Sequence, residues 1–221
     1  MHHRSKLREY FESLLVSIIV VLFIRAFVAE AVQIPTGSME DTLLPGDHLF
    51  INKLTYRQNI EIGSYGVLPF ADVRRRDIVV FRFFDQPDES RYYVKRIIGL
   101  PGDTVEIKAK QVYIDGKALD ESYAVFKEPW AKDRQPHDDM GPLEIPPGHY
   151  FVMGDNRDRS YDSRFWGPLP RDRIIGKPLV VWWSFDGNRT PASTRWTDRL
   201  GGLFTRFFRQ TRWRRTGLLI D

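Results

Sequence analysis

Ser38 stands in IPTGSMEDTL (34–43), between a glycine and a methionine and just after a proline. Pro35 and Gly37 hold the backbone in a tight turn, a setting in which a serine hydroxyl can be presented as a nucleophile. A Gly-Ser turn is also an ordinary structural feature, so the chemistry depends on a base. The chain has five histidines, His2, His3, His48, His137 and His149, and no motif marks any of them as the partner of Ser38. The other available base is a lysine whose pKa burial has lowered. Most lysines here stand among polar residues; Lys95, in YYVKRIIGL (92–100), does not. In a strand it shares a face with Tyr93 and Ile97. Desolvation there favours the neutral amine, which can accept a proton. The alternative is an edge-strand lysine directed at water.

A third segment, GDNRDRSYDSRFWGPLP (154–170), carries Asp, Asn, Arg and Ser at the density of an internally hydrogen-bonded loop. Ser160 could orient an uncharged lysine, and Asp162 and Arg164 could pair and brace the loop. Asp155, Asp158 and Asp162 do not follow the spacing of a calcium loop, and arginines interrupt them, so no metal and no cofactor are expected. The absence of cysteine excludes disulfides, thiol catalysis and thiolate metal sites.

These segments need a scaffold. DHLFINKL (47–54), DIVVFRFF (77–84), YYVKRIIGL (92–100), DTVEIKAK (103–110), QVYIDGKAL (111–119), HYFVMGD (149–155) and GKPLVVWWSF (176–185) are short and rich in β-branched and aromatic residues, with Gly, Pro and Asp at their ends. Asp115-Gly116 is a hairpin signal. No long amphipathic helical pattern competes. The expected fold is mostly β, an antiparallel sheet or partly open barrel, as a catalytic domain over 32–190. Within it, residues 120–148, with Pro129, Pro136, Pro142, Pro146 and Pro147, are expected to form an excursion of loops.

Ahead of the domain, residues 11–29 carry only Glu12 and Arg25 as charges. That run just suffices for a transmembrane helix, expected over 9–31. Arg4, Lys6 and Arg8 precede it, which places residues 1–8 in the cytoplasm and the rest outside. A buried helix is one alternative. A cleavable signal peptide ending at Ala29-Glu30-Ala31 is another, although Arg25 and Glu30 sit awkwardly for it. No second run of this length occurs, so a single-pass protein of the inner or plasma membrane is expected.

Net charge is +4, which alone would suggest nucleic acid. Residues 195–221 hold seven Arg and two Asp, so the remainder is slightly acidic and the basicity is local. No nucleic-acid partner is expected. The tail, 191–221, mixes Arg with Phe, Trp and Leu; it suits an anionic membrane surface, or equally a disordered basic end.

Together and in this order after an N-terminal span, IPTGSMEDTL, GDHLFINK, RDIVVF, YYVKRIIGLPGD and GDNRDRSYDSRFWGPL resemble bacterial type I signal peptidase, the membrane-bound Ser–Lys leader peptidase. The resemblance spans about residues 32–185. It implies a β fold and cleavage of signal peptides from exported preproteins on the outer face of the membrane, with membrane lipid as surroundings. It further implies Ser38 as nucleophile, Lys95 as general base, the Thr36 hydroxyl with the Ser38 N–H as oxyanion hole, Ser160 as the serine that positions the lysine, and Asp162–Arg164 as the bracing pair. Ile34, Pro35, Met39, Leu43, Tyr93 and Val94 fall where the family lines its small-residue pockets. This chain departs from the family in carrying Asp41 where proline is frequent, and Thr36 in place of serine. It also lacks the additional span of some members.

Three other readings are weaker. A soluble Ser–Lys autoprotease would lack the anchor and carry an internal Ala-Gly cleavage site with a DNA-binding head. A tethered, non-catalytic peptide-binding β domain would not need Ser38. A nucleic-acid binder would spread its basic charge over the fold.

Overall fold

The computed structural model describes residues 6–56, 61–62, 65–66, 71–86, 89–127, 138–186 and 207–220. His2, His3, His137, Pro129, Pro136 and residues 191–206 of the tail lie outside them. An N-terminal helix, α1 (Lys6–Phe23), continues as a wider helical turn over Ile24–Val28. The 21 residues Arg8–Val28 are long and apolar enough to cross a membrane. Their large apolar side chains, Leu14 to Ile24 among them, are exposed. A core helix would bury them, so the arrangement is consistent with a membrane anchor. The helix ends at Val28; Ala29 is already extended and opens a strand, three residues short of the expected anchor boundary.

The strands are β1 (Ala29–Gln33), β2 (Asp47–Asn52), β3 (Glu61–Ile62), β4 (Tyr65–Gly66), β5 (Ile78–Gln86), β6 (Glu89–Gly99), β7 (Thr104–Lys108), β8 (Gln111–Ile114), β9 (Lys117–Ala118), β10 (Met140–Glu144), β11 (His149–Met153), β12 (Leu169–Pro170), β13 (Ile174–Ser184) and β14 (Leu218–Leu219). Each of the seven segments predicted as strand carries at least one. Among the described residues the main sheet runs β1-β2-β13-β5-β6-β11-β12, with β14 on β13, and a second runs β10-β7-β8-β9. Their ladders are antiparallel. Asp115-Gly116 joins β8 to β9 with positive φ at both residues, as a type I′ turn requires.

Two regions differ from their expected character. Strand β10 arises inside 120–148, because Leu143 pairs with Val105 and packs on the core beneath the second sheet. Residues 207–220 fold back, with β14 paired to Val180 and Val181 of β13. Three buried apolar clusters result. One joins Ile34, Met39 and Leu43 to β2, β5 and β13; a second lies around Phe81 and Ile97; a third holds Ile98, Val105 and Phe151 between the sheets. Fully burying each such side chain contributes about 1.5–3 kcal/mol.

Candidate active site

Ser38 sits on a turn pinned at both ends. Ile34 N–H donates to Asp47 O at 2.8 Å and Gly46 N–H to Ile34 O at 2.9 Å. Met39 and Leu43 are buried in the first cluster, and Leu43 N–H closes on Met39 O at 2.7 Å. These contacts explain why Ser38 follows a proline and precedes a buried methionine: the flanking side chains fix the turn, and the hydroxyl is left to face a cavity.

Lys95 lies on β6, opposite Val79 of β5, with β11 on the other side of the strand. It is therefore an interior lysine, 2% exposed, and the edge-strand alternative does not apply. Its Nζ is 2.5 Å from Ser38 Oγ. Desolvation lowers its pKa to about 8. Asp162 and Asp155 act in the opposite sense, and Arg164 acts with desolvation. The two histidines within the described residues are elsewhere: His48 stacks on Trp183 at 4.8 Å, and His149 Nδ1 is 3.0 Å from Pro147 O.

The 154–166 loop braces this pair from below. Asp162 caps the short helix α2 (Ser163–Trp166) and takes Arg164 Nε at 2.9 Å and Arg164 Nη2 at 3.0 Å. Burial alone would raise the Asp162 carboxyl. The Arg164 guanidinium, with hydrogen bonds from Ser160 and the Gly154 N–H, more than offsets this and holds it below the usual carboxylate range. The Ser160 hydroxyl accepts from Gly154 N–H at 3.1 Å and also bonds the Asp162 carboxylate. Among the described residues it makes no bond to Lys95; its contacts are with Gly154 and Asp162. Gly154 admits no side chain: a Cβ there would lie 2.3 Å from Ser160 Oγ and 2.4 Å from Ser38 O.

A cavity of about 140 Å³ opens beside the pair, lined by Ile34, Pro35, Thr36, Ser38, Met39, Tyr92, Tyr93, Val94 and Lys95. Of the predicted pocket residues, Leu43 alone is not in this lining; it is fully buried in the first cluster, of which Met39 is also part. Tyr92 joins the lining without having been singled out, its hydroxyl donating to Glu30 at 2.9 Å. The Thr36 hydroxyl and the Ser38 N–H have no hydrogen-bond acceptor among the described residues, and both residues line the cavity.

Sequence reasoning also passed over a buried ion pair next door. Arg96 grips Asp155 through Nε at 2.8 Å and Nη2 at 2.7 Å, and Thr42 Oγ1 donates to Asp155 at 2.6 Å. Arg96 further stacks over Tyr123 at 4.2 Å. Its position directly after Lys95 was the available signal: on a strand, the neighbour of a buried lysine faces the opposite side, where an arginine needs a partner of its own. Asp41 also acquires a place. Lys127, from the start of the 120–148 region, bridges Asp41 at 2.6 Å and Glu40 at 3.0 Å. Among the described residues no group of His, Asp or Glu is arranged to hold a metal ion.

A family model described as "Signal peptidase, peptidase S26" matches residues 7–183. The chain is 38% identical over 178 residues to the probable signal peptidase I-2 of Synechocystis sp., covering 79% of this chain and 72% of that protein. It is 36% identical over 209 residues to signal peptidase I of Pseudomonas aeruginosa, covering 80% and 72%. With signal peptidase I of Bacillus licheniformis it shares 37% identity over 186 residues, covering 83% and 92%.

Proposed function

The chain belongs to the signal peptidase family, peptidase S26, and on that premise we propose that it is a membrane-anchored serine endopeptidase removing signal peptides from exported preproteins through a Ser38–Lys95 dyad. The observation that carries the dyad is the buried Lys95 amine 2.5 Å from the Ser38 hydroxyl at the wall of a small, largely apolar cavity. A lysine whose pKa is about 8 is substantially neutral near that pH, and its lone pair can take the hydroxyl proton at this separation.

In the proposed sequence, Lys95 takes the Ser38 proton as Oγ attacks the scissile carbonyl. The Ser38 N–H and the Thr36 hydroxyl stabilise the oxyanion; losing one such donor costs about 3–4 kcal/mol of barrier in a comparable site. The tetrahedral intermediate collapses to an acyl-serine ester, and the protonated Lys95 passes its proton to the departing amine. Water then attacks the ester, with Lys95 accepting its proton and returning one to Ser38 Oγ.

Asp162 and Arg164 form a nearly neutral pair, which leaves desolvation in control of Lys95, and Ser160 helps to fix that pair. Ile34, Pro35, Met39, Tyr93 and Val94 form the substrate wall. A cavity of about 140 Å³ suits small residues such as Ala, Gly or Ser at the first and third positions before the cut. The substrate binds as an added strand, which directs alternate side chains into pockets. Leu43 contributes by backing Met39.

The helix ends at Val28, ten residues before Ser38, and Lys53 ties Arg25 O and Val28 O to the end of β2. That short linkage holds the cleft at the membrane surface. Residues 1–8 are then cytoplasmic and the β domain extracytoplasmic, with lipid around the single span and no nucleic-acid partner. Cleavage of a model preprotein by wild type, Ser38→Ala and Lys95→Met tests the dyad. Both variants should be inactive while folded; substantial cleavage by either removes the assignment, and cleavage by Ser38→Ala would favour a non-catalytic peptide-binding role for the cavity.

A further inference from the structure

Asn156, fully buried, holds the backbone on both sides of the nucleophile's amide. Its N–H donates to Ser38 O at 3.1 Å, and its Nδ2 donates to Gly37 O at 3.2 Å. The second contact has a geometric consequence. The Gly37–Ser38 peptide is trans, and in a planar trans unit the C=O and N–H point in opposite directions. Gly37 O and the Ser38 N–H belong to that one unit. A donor that fixes Gly37 O therefore fixes the Ser38 N–H on the opposite side. This N–H has no acceptor among the described residues, and Ser38 lines the cavity.

The other end of the same carboxamide points to the same role. Asn156 Oδ1 is buried without a hydrogen-bond partner among the described residues. Buried polar atoms are normally paired, so an orphan calls for a reason. Turning the amide over would set Oδ1 against Gly37 O, oxygen to oxygen. The orientation that leaves Oδ1 unpaired is the one that supplies a donor to Gly37 O. Glu40 N–H also reaches Gly37 O, at 3.2 Å, from within the turn. Asn156 ties that carbonyl to a different element, the loop that carries Ser160 and Asp162.

We propose that Asn156 is a positioning residue for the oxyanion hole: its carboxamide, acting on Gly37 O, aims the Ser38 N–H at the developing oxyanion. The proposal rests on the Ser38–Lys95 mechanism above. Its test is steady-state cleavage of a preprotein by wild type, Asn156→Leu and Asn156→Ala, with Ser38→Ala as a separate control. Leu keeps the branched shape and removes the donor without adding charge; if it does not fold, Ala carries the test. Active sites are counted by titration with a peptide aldehyde, so that lost protein is not read as lost turnover.

The expected result is a fall in kcat per active site on the order of 10- to 100-fold, less than or near that of deleting an oxyanion donor. KM should stay within about twofold, and the pH midpoint set by Lys95 should not move. Affinity for the aldehyde, whose hemiacetal oxygen occupies the oxyanion position, should weaken in step with kcat/KM. Wild-type kcat per active site in a folded variant, or an effect confined to KM, overturns the role of Asn156. Cleavage retained by Ser38→Ala overturns the underlying mechanism instead.

Discussion

Two buried charges flank the same turn, and they are treated in opposite ways. Lys95 meets the turn at Ser38, fully desolvated and with no carboxylate in direct contact among the described residues. Asp47 closes the other end, equally buried but fully partnered. It accepts from Ser184 Oγ at 2.6 Å, Leu44 N–H at 2.9 Å and Arg215 Nη2 at 2.6 Å. Arg215 also donates to Thr42 O at 2.9 Å, so the returning C-terminal segment clips the turn in place. A buried charge with its hydrogen bonds satisfied braces structure; one with no counter-ion in contact is pushed by desolvation toward its neutral form. The turn uses one of each.

The largest break in this contrast comes from Lys95→Met. Cleavage should fall by about a hundredfold to ten-thousandfold, the usual contribution of a general base, while stability moves the other way. In the unfolded chain the lysine pKa is near 10.5, and in the fold it is about 8. Between those values the unfolded state holds a proton that the native state lacks, so wild-type stability rises with pH across the window. Below pH 8 the native state carries the full cost of the buried ammonium. Lys95→Met removes that cost, raising stability by as much as ~3 kcal/mol at neutral pH and abolishing the rise; urea denaturation from pH 7 to 10 measures both. Asp47→Asn should do the reverse. It leaves Arg215 without its carboxylate and should cost about 3 kcal/mol in the same denaturation assay.

Next in size are shifts in the pH dependence of kcat/KM, which should rise through a midpoint near the Lys95 pKa of about 8 as the amine loses its proton. Arg164→Met leaves the Asp162 carboxylate uncompensated beside Lys95, favours the ammonium, and should move the midpoint to higher pH. Asp162→Asn leaves Arg164 and should move it to lower pH. Midpoints that moved together would show that the pair acts on Lys95 through packing alone. The smallest effect belongs to the exposed counterpart of these pairs. Lys127→Ala removes the bridge to Glu40 and Asp41, and should cost less than about 1 kcal/mol without altering kcat.

Much of the architecture was legible because it is written in local pattern. Alternating β-branched and aromatic residues mark strands, Asp115-Gly116 marks a hairpin, and a long, mostly apolar run marks a helix suited to lipid; none of these needs a distant partner to be recognised. Strand β10 escaped notice because Met140-Gly141-Pro142 reads as a turn until it pairs with β7. The motif residues Ser38 and Lys95 were legible by type. Their approach to 2.5 Å across 57 residues of chain was not.

What the amino-acid order determined by itself is an apolar N-terminal helix long enough to span a membrane, the β class, and which side chains have the chemistry to act: a serine on a constrained turn, one lysine among apolar neighbours, and an Asp–Arg-rich loop. Tertiary structure decided what those groups are. Lys95 has its pKa lowered by burial, which β5 and β11 supply from both sides of β6. Arg215 changes from a tail charge to a clamp because Asp47, 168 residues away, is buried where it returns. Asn156 acquires its place because Gly37 and Ser38 present their carbonyls to it across the fold. Protonation and hydrogen-bond orientation depend on the whole environment within a few ångströms, and that environment is assembled from segments with no local signal for one another.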